Sequence, residues 1–305
     1  MSSKLIPAYR GGVDQWECDQ MNHMNVQFYM AKASDAFGHL QNALGLTPAV
    51  IRETRKGLRF RTMRTQYKSE VRSGTPIYGV AGIFGVHGDE IEGFIHFFND
   101  REQKLSAVYE FTAHFVDFDA DTILPLPEPV RRAALNLLDA HDGVYRAGPF
   151  SGPVMPKTPL DHLFDSARGS VDVWESDAFG HIEMRHIVAY FSNAATHIIN
   201  NVGLTRATIR ERNLGSAALD YYSEFHAPLR KTAAVLLRSG LIGASGKIFR
   251  FGHQLIDLDK ECVAVTTTVV GCYFDMTTRK SVALPEEFTR YPKEKLLIAQ
   301  LSAPA

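Results

Sequence analysis

Two loops of the same design decide the fold that this sequence predicts: WECDQMNHMN at residues 16–25 and WESDAFGHIE at residues 174–183. Trp, Glu, Asp and His recur at the same positions in both loops, and a long apolar segment follows each one. Shifting the sequence so that Trp16 meets Trp174 also aligns residues 13–128 with residues 171–286 without a gap. Chance similarity would require gaps, so the chain is a tandem duplication.

Each copy predicts a short strand, a polar loop and then a long helix. The first strand is expected around residues 13–16, and Asn25 is a suitable N-cap for the helix that follows. Gly45 and Gly203 stand where glycines commonly end helices, which gives helices of about twenty residues. Apolar residues recur at helical spacing and at equivalent positions in the two copies. They are Tyr29, Ala33, Ala36, Phe37, Leu40 and Leu44, matched by Ile187, Phe191, Ala194, Ala195, Ile198 and Val202.

The sequence after each helix predicts β-strands. In the first copy, four segments rich in aromatic and β-branched residues are separated by Gly, Asp and Asn. A single helix followed by an antiparallel meander predicts a sheet wrapped around that helix, because both apolar surfaces must be buried. We therefore expect an α+β fold of two tandem units, paired side by side as a pseudo-dimer. The expected domains are residues 1–128 and 170–305, joined by a connector over residues 129–169 with one helix and a Pro/Gly-rich stretch.

The composition limits the classes of protein to consider. Of the 305 residues, 45% are hydrophobic and 22% charged, which is typical of a globular protein. The formal net charge is −1, so no overall field favours nucleic acid or an anionic membrane. The sequence has neither the apolar run of a secretory signal nor one long enough to span a bilayer. Three scattered cysteines favour a reducing, cytoplasmic location over a disulfide framework.

The order of loop, long helix and meander resembles the hotdog-fold acyl-CoA thioesterases, in particular the 4-hydroxybenzoyl-CoA thioesterase-like branch, in a tandem double-hotdog form. In that family the loop is roughly Asp/Glu-x-Asp-x-x-Gly-His-Val-Asn. The first copy departs from it with Asn22 in place of Gly. The second keeps Gly180 but has Glu183 where the first has Asn25.

The resemblance implies that the second acidic residue of each loop is catalytic. This residue is Asp19 in the first copy and Asp177 in the second, and His23 and His181 take the position of the family's loop histidine. In hotdog pairs the sites lie where two units meet, so each site is expected to draw groups from both copies.

The chemistry of thioester hydrolysis independently fits these residues. A carboxylate can attack the thioester to give an anhydride or can activate a water, and the sequence leaves both courses open. The N-terminus of a long helix offers backbone N–H groups and a positive dipole to a developing oxyanion. Asp19 is therefore expected to be the base or nucleophile and His23 a polarising or orienting donor. Asn25 and Trp16 are expected to bind substrate.

Purely structural roles for the loop residues stay open from the sequence alone. An Asp before a helix is most often a cap or a solvated residue, and duplicated caps would also persist. No His or Cys at helical spacing completes a zinc site, so neither metal nor cofactor is expected. Glu17 and Glu175 are expected to pair with an arginine. His39 and His197, deep in the two helices, are expected to be core histidines.

Two arginines at matched positions are candidates for contact with coenzyme A. Its 3′-phosphate and pyrophosphate call for Arg partners, and Arg52 and Arg210 occupy equivalent positions in the two copies. The sequence therefore predicts an acyl-CoA thioesterase. The alternatives are a hotdog hydratase acting on an enoyl thioester and a non-catalytic acyl-CoA sensor. The acyl group, the number of working sites and any further homo-oligomerisation stay open.

Overall fold

The structure, a computed structural model, describes residues 5–138 and 143–301. The chain divides into two compact units, Met1–Phe150 and Ser151–Ala305, named here unit 1 and unit 2. In its described residues each unit combines one antiparallel sheet with one long helix, which confirms the α+β class. None of the described helices combines the length and hydropathy that a membrane-spanning helix needs.

Unit 1 contains the meander that its sequence predicts. Its elements are β1 (Ile6–Gly12), α1 (Val26–Ala43), α2 (Pro48–Thr54), β2 (Lys56–Tyr67), β3 (Pro76–His87), β4 (Glu90–Asn99), β5 (Lys104–Asp117), β6 (Thr122–Ile123) and α3 (Glu128–Asn136). The strands lie in the order β1-β3-β4-β5-β2, and the short β6 pairs with β5. The pairing of β1 with β3 is interrupted by a register shift between Pro7 and Tyr9.

Unit 2 repeats this arrangement. Its elements are β7 (Phe164–Ser170), α4 (Met184–Asn201), α5 (Arg206–Glu211), β8 (Leu214–Phe225), β9 (Ala234–Ser245), β10 (Ile248–Asp257), β11 (Cys262–Asp275), α6 (Glu286–Arg290) and α7 (Ile298–Leu301). The strands lie in the order β7-β9-β10-β11-β8. A register shift between Asp165 and Ala167 repeats the one in β1 at the equivalent position.

The long helix of each unit packs on its own sheet through the predicted apolar stripe. In α1, Ala33 and Ala36 are fully buried, and these small side chains allow the helix to lie close to the strands. Phe37 packs against Phe60 of β2 and Phe111 of β5, with ring centroids 4.1 and 5.4 Å away. Both helices are 18 residues long, and positive φ angles at Gly45 and Gly203 confirm the predicted helix ends.

The core of unit 2 contains a polar group that unit 1 lacks. Ser166, Ser239 and His253 are almost fully buried between β7, β9 and β10. Ser166 Oγ donates its one proton to the Leu237 carbonyl at 3.1 Å. In the 2.6 Å contact between the serines, Ser239 Oγ is therefore the donor and Ser166 Oγ the acceptor. His253 Nδ1 must then donate to Ser239 Oγ, 2.8 Å away. The equivalent residues of unit 1 are Ala8, Ala81 and Ile95.

The described residues of the predicted connector are divided between the units, and its N-terminal part covers the sheet of unit 1. The predicted helix is present as α3, shorter than the pattern suggested, and residues 139–142 lie outside the described residues. Further along the connector, the carbonyls of residues 147–149 all accept from Nη1 of Arg64 in β2, at 2.7–3.1 Å. The Ala147 N–H donates to Glu110 at 2.6 Å.

The C-terminal part of the connector packs on unit 2. Met155 is 1% exposed and lies against Gly252 of β10, where a Cβ atom would stand only 2.1 Å from the Met155 sulfur. A larger residue at position 252 would force the Met155 side chain to move, because the methionine occupies that space. Gln254 Nε2 donates to the carbonyls of Pro156 and Thr158, both at 2.8 Å. Each sheet is thus covered by the part of the connector that belongs to its own unit.

Candidate active site

A short turn of 3-10 helix leads into each of the two loops. In unit 1 this turn is Gln15–Glu17, and the strand predicted around residues 13–16 is wrong there. Glu17 forms a capping box with Asp14, whose backbone N–H donates to Glu17 Oε2 at 3.0 Å. These local bonds favour a turn over an extended strand. Unit 2 has the same box around Val173–Glu175.

Each loop places its aspartate beside its histidine. Asp19 Oδ2 lies 3.6 Å from His23 Nδ1, and Asp177 Oδ1 lies 3.9 Å from His181 Nδ1. These distances exceed ordinary hydrogen bonds, so the pairs interact through charge and polarity. The other Asp19 oxygen accepts the Met21 N–H at 2.8 Å, which fixes the carboxylate. The structure therefore brings together the Asp and His that the loop sequence singled out.

The residue before each histidine adopts a left-handed backbone. The φ angle is 61° at Asn22 and 79° at Gly180. Asparagine is one of the few residues other than glycine that adopts this region readily. Asn22 therefore preserves the turn despite its departure from the family's loop pattern.

Glu70 is a further carboxylate beside His23 that loop reasoning did not predict. Its Oε1 lies 3.9 Å from His23 Nε2, with the two side chains 39% and 16% exposed. The backbone around Glu70 is joined to the loop, because the Met24 N–H donates to the Val71 carbonyl at 2.9 Å. The equivalent residue in unit 2 is Pro228, so the second copy lacks this carboxylate.

The two long helices begin differently after the loops. Asn25 Oδ1 accepts the Gln27 N–H at 2.9 Å, which confirms Asn25 as the N-cap of α1. Glu183 occupies the same position in α4, but in the described structure its side chain makes no cap bond. Its Oε2 lies 2.9 Å from Arg185 Nε instead. This contact offsets the negative charge that Glu183 introduces at the helix start.

A buried ion pair joins the loop of unit 1 to α1. Lys32 Nζ lies 2.7 Å from Glu17 Oε1, and the two side chains are 8% and 10% exposed. The predicted arginine partner of Glu17 is wrong, because Lys32 on the second turn of α1 is the cation within reach. Burial lowers the pKa of Lys32, but the hydrogen bonds and charges of Glu17 and Tyr9 outweigh it and raise that pKa.

Unit 2 replaces this ion pair with a histidine. His186 Nδ1 lies 3.5 Å from Glu175 Oε1, so the arginine expected for Glu175 is wrong as well. Arg185 Nε donates to His186 Nε2 at 3.0 Å. Burial, then the Arg185 charge, lowers the pKa of His186, consistent with a neutral ring that accepts this bond. Tyr190 stands at the position equivalent to Lys32, and burial raises its pKa to about 12.

The other predicted substrate-binding residues are exposed. Trp16 and its counterpart Trp174 are each 74% exposed on the 3-10 turns. Arg52 and Arg210 lie in the last turns of α2 and α5, which follow the C-terminal ends of the long helices. An 18-residue helix is about 27 Å long. Neither arginine is therefore brought to the Asp–His pair of its own unit.

The expectation of core histidines is wrong for both long helices. His39 and His197 are exposed, beside the apolar stripe that each helix buries against its sheet. The long helices are covered on one face only, and these histidines lie outside the covered face.

A cavity in unit 2 lies away from its loop. Its volume is about 520 Å³, and it is lined by residues 201–203 at the C-terminal end of α4 together with Arg290 and Tyr291. Asp177 is at the other end of that helix, so this cavity is separate from the predicted site. Among the residues that the structure describes, no group of three or more His, Cys, Asp or Glu is arranged to hold a metal ion.

Three residues around the loops were missed by sequence reasoning because they are distant in sequence or lie within the helices. The repeat alignment contains the signal that could have found them, since the copies differ in polarity at each position. The missed residues are Lys32, Glu70 and His186, aligned with Tyr190, Pro228 and Phe28.

Both halves of the chain match one protein family. The model of the thioesterase-like superfamily matches residues 13–134 and again residues 171–291, most of the chain in total. The chain belongs to the thioesterase-like superfamily. This membership makes it an enzyme of the thioester hydrolase class, as the loop sequences predicted. No curated protein matches this thioesterase-like chain in sequence.

Solved structures show the same tandem fold. A Lactobacillus plantarum protein provisionally named oleoyl thioesterase is 11% identical with a TM-score of 0.70, over 93% of this chain and 98% of its own. An acyl-ACP thioesterase from Bacteroides thetaiotaomicron is 9% identical with a TM-score of 0.64, over 89% and 100%. The 12:0-ACP thioesterase from Umbellularia californica is 10% identical with a TM-score of 0.62, over 87% and 93%. These likenesses confirm the double-hotdog fold.

Proposed function

We propose that this member of the thioesterase-like superfamily hydrolyses acyl-CoA thioesters to a free acid and coenzyme A. The observation that carries the proposal is the position of Asp19 and His23 beside the start of α1. The carboxylate is fixed by the loop backbone, and the start of α1 adds the positive end of the helix dipole. Asp177 and His181 are the equivalent groups at α4.

Two courses of the reaction use the same residues. In one, Asp19 takes a proton from water while the water oxygen adds to the thioester carbonyl carbon. The oxyanion then collapses, and the C–S bond breaks with its electron pair on sulfur. In the other, the Asp19 carboxylate adds to the carbonyl, the CoA thiolate leaves, and water hydrolyses the anhydride. In both courses, the positive end of the α1 dipole stabilises the oxyanion.

Coenzyme A is the proposed carrier because exposed groups suited to it occur in both copies. Arg52 and Arg210 can form paired hydrogen bonds with phosphate, and both are accessible. Because each lies far from the Asp–His pair of its own unit, it would contact the phosphates of the carrier and not the thioester. Trp16 offers an exposed ring to another part of the substrate. The cysteines Cys18, Cys262 and Cys272 are free thiols, which fits the cytoplasm as the proposed location.

The test is thiol release from short, long and aromatic acyl-CoAs by the wild type, Asp19→Asn and Asp177→Asn. We expect Asp19→Asn to lower kcat by about 10²–10⁴-fold, the usual range for loss of a catalytic acid or base. Asp177→Asn is expected to cost less, because Glu183 replaces the Asn25 cap beside it. Equal loss in both variants would indicate two working sites or one site that uses both loops.

Different results would favour the hydratase or the sensor. Loss of the double bond from an enoyl-CoA without thiol release would indicate the hydratase. Thermal stabilisation by an acyl-CoA that is neither hydrolysed nor hydrated would indicate the sensor. Hydrolysis unaffected by Asp19→Asn would contradict the assigned role of Asp19.

A further inference from the structure

The imidazole of His23 lies between two carboxylates. Its Nδ1 faces Asp19 at 3.6 Å and its Nε2 faces Glu70 at 3.9 Å. A neutral imidazole carries one proton, so the carboxylate that accepts this proton determines which nitrogen keeps a free lone pair. The carboxylate of Asp19 has another task in the proposed reaction, which leaves Glu70 as the acceptor.

We propose that Glu70 is a positioning residue for the hydrolysis. It accepts the Nε2 proton of His23 and thereby holds the tautomer whose Nδ1 lone pair faces Asp19. This inference rests on the proposed thioesterase function and deepens it. Hydrogen bonds of this kind to the second ring nitrogen commonly fix both the tautomer and the orientation of working histidines.

The backbone that carries Glu70 is fixed on both sides. After it, the Val71 carbonyl accepts the Met24 N–H at 2.9 Å. Before it, Ser69 Oγ donates to the Leu105 carbonyl of β5 at 3.0 Å. The Ser69 carbonyl accepts from Tyr29 Oη of α1 at 3.4 Å. Strand β5 and helix α1 therefore both hold the segment against the loop. The backbone is fixed, so we expect rotation of the Glu70 side chain to shorten the 3.9 Å separation between its Oε1 and His23 Nε2 to a hydrogen bond when substrate binds.

Unit 2 has the same backbone without the carboxylate. There the Ile182 N–H donates to the Leu229 carbonyl at 2.9 Å, as Met24 does to Val71. The preceding residue is Pro228, whose side chain has no acceptor. The two copies thus share the scaffold and differ in the group that would orient the histidine. In this proposal only the histidine of unit 1 is oriented by Glu70.

The oriented ring completes the general-base course. Water gives a proton to Asp19 as its oxygen adds to the carbonyl carbon, and Asp19 passes this proton to Nδ1 of His23. When the C–S bond breaks, the electron pair leaves with sulfur and Nδ1 returns the proton to the thiolate. The proton on Nε2 stays on that nitrogen throughout and is donated to Glu70. The imidazolium formed in between has a carboxylate at each nitrogen.

The experiment compares Glu70→Met with Glu70→Gln on the acyl-CoA that the wild type hydrolyses fastest. Methionine removes the acceptor at similar length, whereas glutamine keeps an acceptor oxygen. We expect Glu70→Met to lower kcat about ten- to a hundredfold with KM within about twofold, and Glu70→Gln to keep an intermediate kcat. Glu102→Met, in the exposed turn after β4, is the matched control and should match the wild type. Ring ¹⁵N spectra should show His23 protonated at Nε2 in the wild type and a mixture of tautomers in Glu70→Met.

The outcomes separate this inference from the function on which it rests. An active wild type with Glu70→Met kcat within twofold of it overturns the role of Glu70 and leaves the thioesterase intact. A wild type that releases no thiol from any substrate overturns both. If Glu70→Met does not fold, Glu70→Gln decides: an intermediate kcat at unchanged melting temperature supports the proposal, and wild-type kcat with an unchanged ring spectrum overturns it.

Discussion

Glu17 uses both of its oxygens to hold the first loop. One accepts the Asp14 N–H within the 3-10 turn, and the other faces the Lys32 ammonium of α1 at 2.7 Å. Because both charged side chains are buried, neither can exchange its partner for water without cost. The pair therefore fixes the backbone at Glu17, and with it the position of Asp19 two residues further along the chain.

Breaking this pair should destabilise unit 1 strongly. Lys32→Met leaves a buried carboxylate without a cation, and we expect the free energy of unfolding to fall by about 3–5 kcal/mol. The double variant Glu17→Gln, Lys32→Met should recover part of that loss. Arg10→Met, which breaks the more exposed 2.7 Å pair with Asp100, is the control and should cost at most about 1 kcal/mol. Urea unfolding measures all three, and equal small losses would show that Glu17 finds another partner.

Side-chain partners were predictable only where the residues are neighbours in sequence. Asp19 and His23 are four positions apart in a closed turn, so their proximity follows from the loop itself. Glu70 reaches His23 only because the chain folds back after β2, and no local pattern reports this. For Glu17, charge alone could not distinguish an arginine from the lysine that the structure places beside it.

At the scale of the elements, the two helix starts give a matched comparison. Asn25→Ala removes the bond to the Gln27 N–H and should lower the free energy of unfolding by about 1 kcal/mol. Glu183→Ala should cost less, because its carboxylate pairs with Arg185 and not with the backbone. Amide hydrogen exchange in the first turns of α1 and α4 measures the local effect. A larger loss for Glu183→Ala would contradict the assignment of the caps.

Helices and strands followed from the sequence because their signals are local. The apolar stripe, the Asn25 cap and the glycines after each helix were sufficient to predict α1 and α4. The 3-10 turns were missed because a capping box of Asp14 and Glu17 competes with an apparently strand-like stretch. The exposure of His39 depends on how much of α1 the sheet covers, which periodicity does not report.

At the scale of the whole molecule, the units should differ in their response to acid. Burial lowers the pKa of His253 from 6.5 to about 3, so between these values the unfolded chain binds the proton that the folded unit excludes. The free energy of unfolding of unit 2 should therefore fall with decreasing pH, by about 1.4 kcal/mol per pH unit below about 6.5. The cause is the cost of charging an imidazole that the core cannot solvate.

The alanines and isoleucine of unit 1 provide the matched variant. Ser166→Ala, Ser239→Ala and His253→Ile together reproduce Ala8, Ala81 and Ile95. We expect urea unfolding between about pH 7 and pH 4 to show a shallower dependence of stability on pH in this variant. Parallel curves for variant and wild type would mean that other groups cause the acid sensitivity.

The division into two units was visible in the sequence because the repeat extends over most of the chain. The sequence did not show on which unit each part of the connector packs. Residues 147–149 lie on unit 1 because Arg64 faces their carbonyls, and Met155 lies on unit 2 because Gly252 leaves room for it. Such fits depend on single side chains of the sheet surface, which a Pro/Gly-rich composition does not indicate.

The serine–serine–histidine group of unit 2 has a consequence for how such a protein can evolve. In a homodimer encoded by one gene, a substitution enters both subunits at once, and its energetic cost is incurred twice per molecule. Fusion of the copies removes this coupling, so a mutation alters one half while the other keeps the ancestral solution. A polar, acid-sensitive core can then arise in one half only. The same freedom allows the two loops to acquire different tasks.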